Sequence, residues 1–140
     1  MILNGVLFLT GTTARGKAYA QALSNFELEP QWTIIYGEDN TQKLGETIEK
    51  SLKSEQIKDN TIFFPDLTQS IDETMNLKSW NFESLPFKSV NEKGLITAIN
   101  RISPKLVIFS GYGGEIVSPD MLATAPFLHI HSGWLPDYRG

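Results

Sequence analysis

Gly5-Val6-Leu7-Phe8-Leu9-Thr10-Gly11-Thr12-Thr13-Ala14-Arg15-Gly16-Lys17-Ala18 begins as an unbroken apolar run, breaks into a turn, and resumes at helical spacing. A continuous apolar run marks a strand buried on both faces of a parallel sheet, because a half-exposed strand would alternate. Thr10-Gly11-Thr12-Thr13 supplies the break. Beyond it Ala14, Ala18 and Ala22, with Leu23 beside them, repeat at the helical period, and either Thr12 or Thr13 can cap the first turn. Trp32-Thr33-Ile34-Ile35-Tyr36 then follows Pro30 as a second strand, rich in β-branched and aromatic residues. Strand, helix, strand is a βαβ unit, and its natural continuation is an α/β fold: a Rossmann-like, doubly wound, mostly parallel sheet with helices on both faces.

The turn nearly spells the phosphate loop G-x-x-x-x-G-K-[ST] in the strand-to-helix setting that motif requires, but Ala18 stands where a magnesium-binding hydroxyl is needed. No later apolar run ending in Asp resembles the second metal-holding strand. Nucleotide hydrolysis is therefore not expected. Two readings stay open: a tight first turn, or an anion site in which the helix amino terminus and Lys17 hold a phosphate.

Composition bounds the rest. With 140 residues, 41% of them hydrophobic and 20% charged, the chain has the size and make-up of one globular domain with its own core. Without cysteine there are no disulfides and no thiolate chemistry. The two histidines are separated by one residue and lack a carboxylate cluster, so no metal site is expected. A formal charge of −4 offers no basic footprint for nucleic acid. No apolar stretch reaches the roughly eighteen residues of a membrane span, and Met1-Ile2-Leu3-Asn4-Gly5 leads straight into a strand, so a cytoplasmic protein is expected. Nothing in the sequence sets the oligomeric state.

Residues 41–57 mix Lys, Glu, Gln and Ser around Leu44, Ile48, Leu52 and Ile57, which predicts an amphipathic helix. A short helix over residues 70–77 and an edge strand or turn at Leu85-Pro86-Phe87 follow, while Phe63, Phe64, Trp80, Phe82 and Phe87 read as local packing. Ser89-Val90-Asn91-Glu92 has the capping-box pattern and predicts a helix from there, with Leu95, Ile96, Ile99 and Ile102 as its buried stripe and Pro104 as its stop. Leu106-Val107-Ile108-Phe109 is another fully apolar strand. It runs into Gly111-Tyr112-Gly113-Gly114, where close backbone approach by a ligand is expected, and Pro119-Asp120-Met121-Leu122 predicts a short helix.

The last stretch is Phe127-Leu128-His129-Ile130-His131-Ser132-Gly133-Trp134-Leu135-Pro136-Asp137-Tyr138-Arg139-Gly140. On a strand, residues two apart share a face, so His129 and His131 are expected to project together. The order resembles the signature of the folate-dependent formyltransferases, the methionyl-tRNA, glycinamide ribonucleotide and sugar N-formyltransferase-like domains, whose usual form is Asn-x-His-Pro-Ser-x-Leu-Pro-x-x-x-Gly. His131 falls on that family's catalytic histidine, and Leu135, Pro136 and Gly140 match directly. His129 takes the place of the family's asparagine, and Ser132 and Gly133 replace its Pro-Ser pair. The likeness extends with gaps through residues 89–114 and more loosely to the first strand.

This resemblance implies a transferase of one-carbon metabolism that moves a formyl group from 10-formyltetrahydrofolate to a primary amine. By it, Gly113, Gly114, Glu115, Ile116 and Val117 would hold the pteridine, with Leu135 beside them. His131 would donate to the developing oxyanion and help move the proton, and His129 would take the asparagine's polarising role. Gly11, Thr12 and Lys17 would hold a phosphate of the acceptor, and Arg139 could help hold an anion. The acceptor is an amino sugar on a nucleotide, a small phosphorylated amine or an aminoacyl-tRNA, and the acidic charge balance favours a small molecule. The family's aspartate lies some tens of residues after the motif, and neither Asp120 nor Asp137 fits its place. Residues 1–140 are accordingly expected to be the amino-terminal part of a longer enzyme. The competing expectation is a folate- or phosphate-binding module of the same fold without catalysis.

Overall fold

Strand β1 (Ile2–Gly11) lies at the centre of a parallel sheet of five strands, described by a computed structural model over residues 1–37 and 63–130. Along the chain follow α1 (Ala14–Asn25), β2 (Glu29–Tyr36), α2 (Ile71–Leu77), β3 (Glu83–Leu85), α3 (Lys93–Ile102), β4 (Leu106–Ser110), α4 (Pro119–Leu122) and β5 (Phe127–Leu128). The sheet order is β3-β2-β1-β4-β5, with every pair parallel, which is the Rossmann-like order expected. The chain switches direction between β1 and β4, and at such a point a crevice opens beyond the carboxyl ends of the strands. The helix expected over residues 41–57 lies outside the described residues.

Alternation along the strands divides the core into two layers. Leu7, Leu9, Ile34, Tyr36, Val107 and Phe109 face α3 and α4, where Leu95, Ile99 and Met121 meet them. Phe8 and Ile35 face the other way, onto Ala20 of α1 and Ile71 and Met75 of α2. Both faces of the sheet are thus covered, which explains why β1 reads as an unbroken apolar run. Full burial of each of these side chains contributes roughly 1.5–3 kcal/mol.

The turn after β1 is set by packing. Thr13 caps α1 and accepts from the amide of Gly16 at 3.0 Å. A Cβ on Gly16 would run into the Gly11 carbonyl and the Thr10 hydroxyl, so this glycine lets the helix start directly against the strand end. The resemblance to a phosphate loop therefore has a steric origin in this second glycine.

Several sequence expectations shift. β2 begins before Trp32 and includes Pro30, next to the ladder irregularity between Leu3 and Leu7, where Gly5 has φ +79. The helix expected after the Ser89-to-Glu92 pattern forms as α3, but Ser89 does not cap it. Glu92 is itself the N-cap of α3, and its carboxylate turns back to the amides of Lys88 and Ser89 at 2.6 and 3.2 Å, folding a turn. The reciprocal capping box stands instead at Ser70 and Glu73, at the head of α2. α3 ends at Ile102 because Ser103 adopts a left-handed conformation, φ 50, one residue ahead of Pro104. The edge strand falls at residues 83–85, slightly before Pro86. β5 spans only Phe127 and Leu128, since β4 offers it a parallel partner only at Val107 and Ile108.

Candidate functional site

Beyond β4 the chain passes through Gly111 and Tyr112 and doubles back over the strand ends. The Tyr112 and Thr12 hydroxyls lie 2.7 Å apart, and the Tyr112 ring meets Tyr36 edge-on at 5.7 Å. Beneath it the Glu115 carboxylate works inward. Its Oε2 accepts from the Tyr36 hydroxyl at 2.6 Å and its Oε1 from the Val90 amide at 2.7 Å. Asn91 completes the clamp, donating to the Ile116 carbonyl at 2.8 Å and accepting from the Ser118 amide at 2.7 Å. Charge-assisted and amide bonds of this kind hold a loop that has few side chains to bury. Burial, reinforced by the Glu115 carboxylate, pushes the Tyr36 phenol far above its ordinary range.

This loop walls a cavity of about 590 Å³ at the carboxyl ends of β4 and β5. Its apolar lining is Phe109, Ile116, Val117, Leu122 and Phe127, and Arg15 and His129 add the polar groups of the rim. Ile116 is 84% exposed at the mouth. Cβ atoms on Gly113 and Gly114 would meet nothing within 4 Å, so these two glycines leave the opening clear. Gly111 differs, because its side-chain direction is already filled by Phe109 and Tyr36. Along the glycine run the backbone is thus packed at Gly111 and open at Gly113.

His129 sits one residue past β5. Its Nδ1 lies 3.1 Å from the Phe109 carbonyl oxygen and its Nε2 3.3 Å from Arg15 Nη1. A guanidinium only donates, so Nε2 accepts and the ring proton is assigned to Nδ1, which donates to Phe109. Tyr19, one helical turn after Arg15, donates to the Ile130 carbonyl at 2.9 Å. The exposed rim of α1 thereby grips the chain as it leaves the sheet. Burial raises the Tyr19 phenol above its ordinary value, against the opposing charge of Arg15.

Of the residues singled out in the sequence, Gly113, Gly114, Glu115, Ile116, Val117 and His129 come together around this cavity. Thr12 and Lys17 do not join them. They line a separate hollow of about 220 Å³ with Ser70, Ser84 and Gly37. Lys17 is 1% exposed, and its ammonium donates to the Leu67 carbonyl at 3.2 Å. Nearby Asp66 is held below the usual carboxylate range by the Thr68 hydroxyl and amide, with a smaller contribution from the charge of Lys17. Gly11 packs on the Tyr112 ring, 2.8 Å from where its Cβ would be. His131, Leu135 and Arg139 lie outside the described residues, so the shared face expected for His129 and His131 does too. Sequence reading missed Arg15, Tyr19 and Tyr36. The one available signal was the Arg15–Tyr19 spacing, which puts both on one face of α1.

Fold and cavity together define a Rossmann-like α/β protein with an open crevice at the carboxyl ends of β4 and β5. No protein-family model matches the chain. Part of it is similar to proteins named methionyl-tRNA formyltransferase. The likeness to the one from Campylobacter jejuni (strain RM1221) is 31% identity over 71 residues, 49% of this chain and 23% of that protein. For Campylobacter lari (strain RM2100 / D67 / ATCC BAA-1060) it is 32% over 60 residues, 43% of this chain and 20% of that protein. The matched segment thus spans less than a quarter of these relatives. These likenesses are distant and cover less than half of the chain. Among the described residues no helix is long and apolar enough to cross a membrane.

Proposed function

We propose that residues 1–140 form the amino-terminal part of a formyltransferase domain that takes the formyl group of 10-formyltetrahydrofolate and passes it to a primary amine. The observation that carries this reading is the cavity itself. Its volume of about 590 Å³ is in the range of cofactor pockets, its walls are apolar, and the residues that close it are those of the loop after β4 together with His129. The apolar walls at Phe109, Ile116, Val117 and Phe127 support a place for the donor's flat bicycle there, and the open space at Gly113 supports its entry.

The donor supplies the formyl carbon. The acceptor nitrogen bonds to that carbon, the bond from the carbon to the folate nitrogen breaks, and one proton passes from the amine to the departing nitrogen. The chain's part is to position the two partners and to meet the oxygen that gains charge. His131 is the group proposed to donate to that oxygen and to relay the proton, on the strength of its place in the HIHSGWLP stretch. The acceptor is an aminoacyl-tRNA or a small amine such as an amino-sugar nucleotide. The name of the relatives favours the first and the acidic charge balance the second.

Calorimetry of the full chain with 10-formyldideazafolate, a stable donor analogue, tests donor binding. Turnover with methionyl-tRNA and with an amino-sugar nucleotide tests the acceptor. Binding with turnover of either acceptor is the expected result, binding without turnover would leave a folate-binding module, and no binding by folded protein would overturn the reading.

A further inference from the structure

We propose that Arg15 is a donor to the formyl oxygen in this cavity and that His129 is a positioning residue acting through it. This rests on the formyl-transfer reading above. Simple replacement of the family's asparagine by a histidine would assign the donor role to the imidazole, and the hydrogen bonds of His129 argue otherwise. A neutral imidazole has one N–H and one acceptor nitrogen. Here the N–H is spent on the Phe109 carbonyl at 3.1 Å, and the acceptor faces Arg15 Nη1 at 3.3 Å. Neither nitrogen has a proton to offer the cavity.

Arg15 has what the histidine lacks. A guanidinium carries five N–H donors in a fixed fork, and the contact with His129 uses one of them. Arg15 lies in the first turn of α1, where the helix dipole adds positive potential, and it is the cationic side chain among the described residues lining the cavity. Glu115, the carboxylate of that lining, keeps its charge but turns its oxygens inward to Tyr36 and Val90 and is not ion-paired with Arg15 among the described residues. Phe109 braces the other side of the imidazole, ring centres 5.8 Å apart. The result is a cation held at an apolar wall by a neutral acceptor, which is how a donor is kept in place for a charge that develops only during reaction.

The test compares two ligands on one protein. 10-Formyldideazafolate and dideazafolate differ only in the formyl group, so the ratio of their affinities, read by calorimetry on the full chain, reports contacts to that group. Wild-type protein should prefer the formyl ligand. Arg15→Ala should lower the ratio several-fold, with His131 left as the other proposed donor, while dideazafolate affinity falls far less, which also shows that the variant is folded. With an acceptor the same variant should lose roughly 10²–10³-fold in kcat with little change in KM, as when an oxyanion donor is removed. His129→Gln should keep the ratio, because its amide oxygen reaches the place of Nε2 and accepts from Arg15, whereas His129→Asn and His129→Ala should lose part of it. A ratio of one in the wild type, an unchanged ratio in Arg15→Ala, or an equal weakening of both ligands overturns the role of Arg15 alone. Failure of wild-type protein to bind either ligand overturns the folate reading itself.

Discussion

The Tyr36 hydroxyl donates to Glu115 Oε2 at 2.6 Å, joining the end of β2 to the loop after β4 across 79 residues of sequence. The second oxygen of the same carboxylate holds the Val90 amide at 2.7 Å. Glu115 therefore shapes the cavity from behind. Glu115→Ala leaves a buried phenol and an amide without their acceptor, at about 1–3 kcal/mol for each. A loss of at least ~2 kcal/mol in urea unfolding is expected, and Glu115→Gln should lose about half as much, since one carboxylate oxygen is exchanged for a donor. Unchanged stability in Glu115→Ala would mean that the loop is held by other contacts.

The same pair makes stability depend on alkaline pH. The folded-state value of Tyr36 is raised, so its contribution is complete below the ordinary tyrosine value near 10 and is lost as pH rises beyond it, because the unfolded chain then releases a proton that the folded chain keeps. Tyr36→Phe should be less stable at neutral pH and should fall less steeply above pH 10. Parallel slopes for both proteins in that range would contradict the protected phenol.

Two glycines near the strand ends should respond in opposite ways. Gly37 has φ +83 and a side-chain direction occupied by the Tyr112 hydroxyl, whereas Gly113 faces open space. Gly37→Ala is expected to cost about 1–3 kcal/mol through backbone strain and the displaced tyrosine. Gly113→Ala should stay within ~0.5 kcal/mol and weaken donor-analogue binding instead. Thermal unfolding of the two variants, with calorimetry on the second, separates the cases.

Lys17 is buried against the Leu67 carbonyl, so its substitution should be read first as a change in stability. Lys17→Met keeps most of the stem and removes a charged hydrogen bond, with an expected loss of about 1–3 kcal/mol. An unchanged denaturation midpoint with a raised acceptor KM would assign the ammonium to a phosphate of the acceptor.

His131→Ala should lower kcat by at least ~10²-fold while donor-analogue affinity persists, since a proton-relaying group acts mainly in the transition state. Near-normal turnover would remove His131 from the chemistry.

The fold class was legible in Val6-Leu7-Phe8-Leu9 and in Leu106-Val107-Ile108-Phe109, because a strand covered on both faces has no reason to alternate, and the helix with its Thr13 cap follows from spacing. The glycine run of residues 111–114 was legible as a loop after an apolar strand, and it lies in the wall of the cavity. Ser89 to Glu92 misled because a capping box and a turn that uses the same carboxylate share one sequence pattern. The burial of Lys17 against the Leu67 carbonyl was not legible, because a residue's place in a loop does not reveal which way a long side chain turns. The partners of Glu115 and of His129 were beyond the sequence altogether. Val90, Tyr36, Phe109 and Arg15 come from separate elements, and their meeting depends on strand order and on where each helix is docked. Local patterning sets which segments are strands and helices, since it acts through near neighbours. Only tertiary structure decides which donor finds which acceptor, because that is a matter of distance between parts of the chain that the sequence keeps apart.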